Sequence, residues 1–472
     1  MMLRAIVFLV MSLGVLQVNF SWGYDREIYI SSTAGDDSNP GTREKPKQTI
    51  NGLTYDMRQN SRILLKRGDV FFGYLKNLNG CEVSAYGKGE APVICGFRVL
   101  KNPEAWNREN DNIWSLDLAI DSLFCGISRD IASMPEAFYD VGCIYDSRAD
   151  RIFGHMVKSM DELSKDGDFF TSNIFSKEEV KDRPYRKIYF YSSENPQKYG
   201  NLCFSVYEIG ASGLHDTVLN DIAFVGFGRH GVALMEGCEI NNCRFDIIGG
   251  AVQIGYSSWV RYGNGVEAWA VGCNDNLVAD CTISRTYDCA TTIQGSGDLH
   301  TTPSNIRFVN NKILHCRQAF EYFLKDEQKR TVGFDNCEFS GNICYMMGDN
   351  GFDSPEKRDA DILCYSLVRT PIPITRNIFY GAPYLFTGVI NQFISDNIVY
   401  IYPGQYLRDG YGGEVFVAGN PGGLAGFRKM YDSTSEIIVV EPGSKEDLKI
   451  KKKLLKQIGW KAPSLHLDRI LK

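Results

Sequence analysis

The sequence predicts an all-β protein, a parallel β-helix in which successive coils of the chain stack into a solenoid. The first observation is a repeat: seven segments begin with Asp or Asn and continue with alternating apolar residues, and they start at Asp221, Asn242, Asp280, Asn311, Asn342, Asn377 and Asn397. The second is spacing, because the first two and the last two starts are about 20 residues apart, a period typical of solenoids. The middle gaps are longer, as expected if loops extend from one side of a regular coil.

The repeat has a physical reason. A single coil cannot bury its inward apolar face, so neighbouring coils must stack and share one core. Asn suits the corners of such coils because it tolerates left-handed backbone geometry and can hydrogen-bond along the stack. We therefore expect the repeated Asp and Asn residues at the corners.

Composition agrees with a folded protein and excludes some functions. The chain has 472 residues, 44% of them hydrophobic, and a net charge of −6. This length exceeds what one compact core usually supports, but a solenoid grows in one dimension. The negative charge argues against a nucleic-acid partner.

Cysteine placement favours core thiols over disulfides or metal ligands. Several of the 14 cysteines, among them Cys243, Cys281 and Cys344, fall at positions of the repeat where apolar residues are expected. Cys behaves there as a small hydrophobic residue. No pair has zinc-ligand spacing with a matching second pair, so no metal site is predicted.

The N-terminus reads as a secretory signal. Arg4 is followed by the apolar run Ala5–Val18, which is too short to span a membrane. The sequence therefore predicts a signal peptide over residues 1–23, export to the periplasm or the extracellular space, and no integral membrane span.

The next segment carries a family resemblance. A short strand from Glu27 leads into a turn cluster rich in Gly, Asp, Asn and Pro, and the run Ile63–Gly73 follows it. This arrangement resembles the opening of pectate-lyase-like right-handed parallel β-helix proteins. The resemblance implies a right-handed β-helix, with residues 24–100 as its N-terminal cap and first coils.

The rest of the chain divides into three further parts. Residues 101–210 interrupt the repeat and resemble the β-rich insertion of exported bacterial β-helix glycosidases. Residues 211–430 are predicted to form the main parallel β-helix. Residues 431–472 form a C-terminal tail with a short Lys-rich helix, whose apolar stripe of Leu448, Leu454, Leu455 and Ile458 suits a surface or capping helix.

Aligning the coils stacks side chains in columns, because parallel strands lie about 4.8 Å apart. One outward-facing column is predicted to contain Ala233, Gln253, Thr292 and Glu321, and a second one, four residues earlier, Arg229, Gly249, Asp288 and Arg317. Asp288 is thus expected one rung from Arg317, on the same sheet as Glu321. Four extended residues span about 13 Å, beyond the roughly 5–9.5 Å between the carboxyl groups of glycosidases. Glu267 is therefore a further candidate partner.

A long loop between two coils supplies candidate sugar-binding residues. Aromatic rings stack on the apolar faces of sugars, and charged or amide groups pair with their hydroxyls. The predicted substrate-binding residues are Gln253, Tyr256, Trp259, Arg261, Trp269, Gln294, His300 and Arg317. His230 could shuttle a proton, although a turn histidine without a role is the simpler reading.

The segment Asp349–Asp353 offers oxygen ligands for calcium without the full loop spacing.

Three carboxylates are candidate catalytic residues. Glycoside hydrolysis needs one protonated and one ionised carboxyl group beside the scissile bond. Glu321 lies between Phe320 and Tyr322 in sequence, a setting expected to raise its pKa and suit a general acid. Asp288, beside Arg317, would stay ionised as base or nucleophile. The alternative for each carboxylate is a solvated or salt-bridged surface group.

The segments Gly263–Glu267, Tyr287–Asp288, Thr292–Gly295 and Phe320–Tyr322 resemble a pattern in bacterial β-helix proteins related to glycosidases. The sequence departs from that pattern at Asp288-Cys289-Ala290, where Asp-Ala-Gly is the expected form. No settled activity carries over from this resemblance. The candidate carboxylates and the aromatic-rich loop favour an exported, polysaccharide-active enzyme, a glycoside hydrolase without a cofactor.

Two alternatives remain open at this point, because a fold alone does not choose among functions. The first is a polysaccharide lyase with Arg317 as base and a calcium requirement. The second is a non-catalytic carbohydrate-binding or surface protein.

Overall fold

The computed structural model describes residues 23–118, 120–127, 141–171, 187–206, 208–252, 260–269, 272–296, 302–325, 333–352, 359–364, 370–388, 394–409, 415–432, 434–467 and 471. The predicted signal peptide therefore lies outside the described residues except for its last position.

Three ten-stranded sheets form the solenoid. The first contains Arg26–Ile30, Ser61–Lys66, Glu82–Tyr86, Val218–Asn220, Glu239–Asn241, Asn276–Ala279, Ile306–Val309, Glu338–Ser340, Ile374–Thr375 and Ile394–Ser395. The second contains Val70–Phe72, Val93–Cys95, Ala223–Val225, Arg244–Ile248, Thr282–Thr286, Lys312–Leu314, Ile343–Tyr345, Ile378–Tyr380, Ile398–Ile401 and Glu436–Val439.

The third sheet, here called the site sheet, contains the candidate functional residues. Its strands are Leu75–Asn79, Ala211–His215, Val232–Leu234, Val266–Trp269, Cys289–Ser296, Gln318–Lys325, Ala360–Cys364, Tyr384–Gly388, Tyr406–Asp409 and Phe416–Val417. The chain visits the three sheets in turn, and each strand pairs in parallel with the strand one coil away. Among the described strands of these three sheets, only the last pair of the site sheet is antiparallel. The predicted right-handed parallel β-helix is confirmed.

Buried apolar side chains from all three sheets form one continuous core inside the coils. All 14 cysteines fall among the described residues, none of them forms a disulfide bond there, and 13 are buried. The prediction of free thiols is thus confirmed. The stacked coils leave narrow corners in the core, and the small, apolar cysteine side chain fits there.

An asparagine ladder runs along one corner of this core. The side-chain amides of Asn311, Asn342, Asn377 and Asn397 hydrogen-bond from coil to coil at 3.0–3.1 Å, and each is buried. The predicted stacking is correct, but the predicted alignment is shifted by one residue. Left-handed backbone geometry occurs at Asp280 itself (φ 54°), whereas in the next coil it occurs at Asn310 (φ 57°), just before the ladder residue. One residue of the corner therefore adopts the left-handed turn, and the residue after it contributes to the asparagine ladder.

The β-rich insertion is confirmed as two antiparallel sheets. One contains Phe97–Leu100, Phe124–Gly126, Val141–Asp146, Arg151–Phe153 and Cys203–Val206, and the other contains Asn107–Arg108, Ile113–Asp117, Phe169–Thr171 and Lys187–Tyr191. Short 3-10 helices cover Ile50–Gly52, Asp56–Arg58, Pro103–Ala105, Asp121–Leu123, Met160–Glu162 and Pro196–Tyr199. The insertion has its own core and shares a second cluster with the outer face of the β-helix.

Two α-helices lie near the C-terminus, Gly423–Met430 and the predicted Lys-rich helix, Lys445–Ile458. Ser444 caps the N-terminus of the latter, and left-handed Gly459 ends it. Leu454 and Ile458 pack on the second sheet. Leu448 and Leu455 are instead exposed, because the helix contacts the solenoid along a narrower stripe than its sequence suggests. Among the described helices, none is both long and apolar enough to cross a membrane.

Candidate active site

The strand register of the site sheet brings three polar residues into one outward-facing column. Glu267 pairs with Thr292, and Thr292 pairs with Glu321. Ala233 occupies the preceding rung. The rung predicted for Gln253 is occupied by Glu267, because Val266–Trp269 is the strand between those of Ala233 and Thr292. Gln253 itself lies outside the described residues.

Glu321 is almost completely buried, with 5% of its surface exposed. Its sequence neighbours Phe320 and Tyr322 point into the solenoid core, so they do not flank the carboxyl group as predicted. The predicted direction of its pKa is nevertheless right. Burial, followed by the charge of Asp288, raises the pKa of Glu321 to about 8.

Asp288 and Glu321 are much closer than the sequence suggests. One oxygen of each carboxyl group and the sulfur of Cys289 all lie within 4.8 Å of one another. The predicted separation of about 13 Å is wrong because it assumes a regularly pleated strand. Ala319 and Phe320 are consecutive, yet both face the core, so the outward positions here are not evenly spaced.

Cys289 lies at the centre of this cluster. Its Sγ is 2.8 Å from Oε1 of Gln318, 3.2 Å from Oε2 of Glu321 and 3.9 Å from Oδ1 of Asp288. Burial, followed by the charges of Glu321 and Asp288, raises the pKa of the Cys289 thiol well above its usual value. The sulfur is therefore a protonated, weak hydrogen-bond donor.

Glu267 is held as an ionised carboxylate by two donors. His230 accepts a hydrogen bond from the backbone N–H of Asn264 at Nδ1, so its proton lies on Nε2, which is 2.9 Å from Oε2 of Glu267. Gln294 donates to Oε1 of Glu267 at 3.1 Å. Burial alone would raise the pKa of Glu267, but the interactions with His230 and Gln294 outweigh it and lower the pKa.

Thr292 lies between the two glutamates. It is fully buried, and its Oγ1 has no hydrogen-bond partner among the described residues. An unsatisfied buried hydroxyl is costly, by about 1–3 kcal/mol. A ligand or a water molecule between Glu267 and Glu321 would remove this cost.

Arg317 lies where the column alignment predicts it, one rung from Asp288. Its Nη1 is 3.9 Å from Oδ1 of Asp288. The Arg317 side chain is 5% exposed and that of Asp288 is 25% exposed. Asp288 is therefore the most solvent-accessible member of the carboxylate cluster.

Arg261, predicted to bind substrate, has a structural position instead. It is 2% exposed, and its guanidinium donates to the backbone carbonyls of Gly142, Gly154 and Gly250 at 2.6–2.9 Å. The first two carbonyls belong to the insertion and the third to the β-helix. The prediction fails because Arg261 itself lies against the insertion, where its donors satisfy backbone acceptors.

The remaining predicted substrate-binding residues divide into two groups. Trp269 is 47% exposed and shares a third outward column with Gln294 and Phe323. Tyr256, Trp259 and His300 lie outside the described residues. In the weak calcium motif, Asp349 forms an ion pair with His315 at 3.2 Å, and Asp353 lies outside the described residues.

Three features of the site were not assigned from the sequence: the central thiol of Cys289, the unsatisfied hydroxyl of Thr292, and the orienting role of His230. A signal existed for the first, because Cys289 is the residue at which the sequence departs from the expected Asp-Ala-Gly pattern. No pattern in the sequence marks the other two as different from ordinary strand and turn residues.

Comparison with known proteins finds similar solved structures but no related sequence family. No protein-family model matches the sequence, and a search of curated proteins finds no relative. Among solved structures, the chain is similar to XylC bound to xylose, at 11% identity over 87% of this chain and 82% of that one, with a TM-score of 0.41. It is also similar to a glycoside hydrolase, at 11% identity over 87% and 96% of the two chains, with a TM-score of 0.39.

A third similar structure is the GH136 lacto-N-biosidase from Eubacterium ramulus, at 12% identity over 88% of this chain and 68% of that chain, with a TM-score of 0.34. Identities and TM-scores of this size carry no functional conclusion.

Proposed function

We propose that this protein is an exported glycoside hydrolase that cleaves a polysaccharide or oligosaccharide in the groove of the site sheet. One observation supports this most directly: two glutamates in one column, Glu321 buried and Glu267 partly buried, have pKa values shifted in opposite directions, with that of Glu321 raised to about 8 and that of Glu267 lowered. A pair of carboxyl groups with separated pKa values matches the acid and base that glycoside hydrolysis requires.

In the proposed mechanism, Glu321 is the general acid and donates its proton to the glycosidic oxygen as the bond breaks. Glu267 is the general base and takes a proton from the attacking water. Two rungs of a parallel sheet separate their Cα atoms by about 9.6 Å. That spacing is compatible with the roughly 6.5–9.5 Å between carboxyl groups that leaves room for a water molecule and inverts the anomeric configuration. The Thr292 hydroxyl lies on the intervening rung, where it can hold that water.

The surrounding residues adjust the pair. The charge of Asp288 contributes to keeping Glu321 protonated at neutral pH. Arg317, which lies beside Asp288, offers a cation to a sugar hydroxyl or carboxylate. Trp269 and Phe323, in the adjacent column, provide apolar faces for a sugar ring. Export rests on the N-terminal apolar run after Arg4.

The test is an assay of the purified protein on a panel of plant, host and bacterial glycans, following new reducing ends together with the ultraviolet absorbance of unsaturated uronates. Wild type is compared with Glu321→Gln, Glu267→Gln and Asp288→Asn. Glu338→Gln is the matched control, because Glu338 is a partly exposed carboxylate on another sheet of the same solenoid.

Each result has a definite reading. Reducing ends without absorbance, lost in Glu321→Gln and Glu267→Gln and retained in Glu338→Gln, would support the hydrolase. Unsaturated products would overturn it in favour of a lyase. Sugar binding without any product would overturn it in favour of a binding protein.

A further inference from the structure

We propose that Asp288, Cys289 and Glu321 form a binding site for a thiophilic divalent cation of the Zn²⁺ class, and that the bound cation inhibits the enzyme. The binding of the cation is independent of the proposed hydrolase function. Only the inhibition rests on that function.

The distances suit a small tetrahedral ion. Zn²⁺ has bonds of about 2.0–2.3 Å to oxygen and sulfur, so neighbouring ligand atoms lie about 3.3–3.8 Å apart. The Cys289 sulfur is 3.2 Å from the Glu321 carboxyl and 3.9 Å from the Asp288 carboxyl. The third separation, between the two carboxyl oxygens, is at most 4.8 Å. A small rotation of the partly exposed Asp288 side chain would close it.

The donor set selects the type of cation. A thiolate sulfur prefers borderline or soft metals, whereas Ca²⁺ and Mg²⁺ take oxygen ligands only. One sulfur with two carboxylates therefore favours Zn²⁺ over the calcium considered for a lyase. Two protein carboxylates and a thiolate carry more negative charge than the ion neutralises, and Arg317, at 3.9 Å from Asp288, offsets the excess.

A second, independent observation points to a ligand at this place. The Thr292 hydroxyl is fully buried, pairs in register with Glu321, and has no partner among the described residues. Because Thr292 lies opposite Glu321 on the neighbouring strand, a water molecule held by its hydroxyl could serve as a further ligand of the ion. Without a ligand, the hydroxyl loses the hydrogen bonds that it makes in water.

Inhibition follows from the chemistry of Glu321. An ion that takes the Glu321 carboxylate as a ligand removes the proton that the general acid must donate. Cation and catalysis therefore exclude each other.

The experiment uses Co²⁺ as a spectroscopic substitute for Zn²⁺ on the metal-free full-length protein. A Co²⁺–thiolate bond gives a charge-transfer band in the near ultraviolet that carboxylates alone do not give. We expect wild type to show the band, Zn²⁺ to abolish it, and Cys289→Ser to lack it. The control is Cys125→Ser, which removes the most exposed cysteine and should keep the band.

Two outcomes would overturn the site: no band in wild type, or a band that persists in Cys289→Ser. If Cys289→Ser does not fold, as judged by circular dichroism, the Co²⁺ affinity of Glu321→Gln tests the site instead. This variant keeps the sulfur but removes a direct ligand, so it should weaken Co²⁺ affinity by at least the roughly tenfold that loss of an outer-shell partner causes. Unchanged affinity would reject the site.

Inhibition is measured separately, with each variant compared with its own metal-free rate. Zn²⁺ should inhibit wild type, and Cys289→Ser should require about tenfold more Zn²⁺ or more for the same inhibition. A cobalt band without inhibition would reject the inhibitory role alone. A cobalt band in a protein that cleaves no glycan would reject the hydrolase while leaving the cation site supported.

Discussion

Glu267 and Glu321 face the same side of the site sheet, one rung on either side of Thr292. The protein places them in different environments: His230 and Gln294 donate to Glu267, whereas Glu321 is buried near the charge of Asp288. Two identical side chains thereby acquire opposite protonation states near neutral pH, which is the property that the following predictions use.

Glu321→Gln is expected to abolish most of the hydrolytic activity. An amide cannot donate the proton that the leaving oxygen needs, and general acid catalysis contributes a factor of about 10²–10⁴. The rate constant kcat should fall by that factor, and KM should change little, because the amide occupies the same volume. Glu338→Gln should retain the wild-type kcat, and a Glu321→Gln variant with wild-type kcat would contradict the assignment.

The pH dependence of kcat/KM should have an alkaline limb set by Glu321. The general acid must be protonated, so the rate should fall as pH rises through about 8, the pKa of Glu321. Asp288→Asn removes a charge that raises this pKa, and it should therefore shift the alkaline limb to lower pH. A profile of wild type and Asp288→Asn measures this, and an unchanged or upward-shifted limb in the variant would contradict it.

Asp361→Asn is expected to stabilise the fold at neutral pH. Asp361 is 2% exposed, its Oδ1 has no hydrogen-bond partner among the described residues, and burial raises its pKa well above the usual value. Because the folded-state pKa exceeds the unfolded one, the native state holds the proton more tightly. The contribution of Asp361 to stability is therefore complete below the unfolded pKa and declines as pH rises.

The asparagine variant has no such titration, so its advantage over wild type should grow from acidic to neutral pH. Thermal unfolding at several pH values measures the difference in Tm. A constant difference would show that the Asp361 charge is not the cause. Asp335→Asn, an exposed carboxylate on the same coil, should show no growing advantage.

Asn342→Ala should destabilise the solenoid by about 2–5 kcal/mol. The side chain of Asn342 accepts from the backbone N–H and side chain of Asn311 and donates to Asn377 and to a backbone carbonyl. Its removal leaves several buried polar groups without partners, each at about 1–3 kcal/mol. Urea unfolding gives the free energy. Asn336→Ala, which removes an exposed side-chain hydrogen bond to Asn305, should cost far less.

Arg261→Ala is expected to affect stability and not substrate binding. Its guanidinium joins backbone carbonyls of the insertion and of the β-helix, and removal leaves these buried acceptors unpaired. Proteolysis of the insertion and the Tm should report the loss. An increase in KM with unchanged Tm would instead restore Arg261 to the substrate site.

Features that depend on local repetition were predictable from the sequence. Alternating apolar residues, the recurring Asp and Asn, and a capped Lys-rich segment correctly predicted the parallel coils, the asparagine stack and the helix Lys445–Ile458. The alignment of individual coils was less secure. Gln253 and Glu267 both fit the pattern of an outward strand position, and only the pairing of Val266–Trp269 with its two neighbours decides between them.

The sequence by itself determined that the chain coils into a β-helix and that Asp288, Arg317 and Glu321 lie in or beside neighbouring strands of one sheet, because strand periodicity and coil spacing are encoded in neighbouring residues. Tertiary structure alone decided that Asp288, Cys289 and Glu321 meet within 4.8 Å, and that Arg261 leaves the site. These contacts depend on an irregular strand at Ala319 and Phe320 and on how the insertion packs. Burial and the convergence of side chains from different coils are properties of the folded chain, and they set the pKa values on which the proposed chemistry depends.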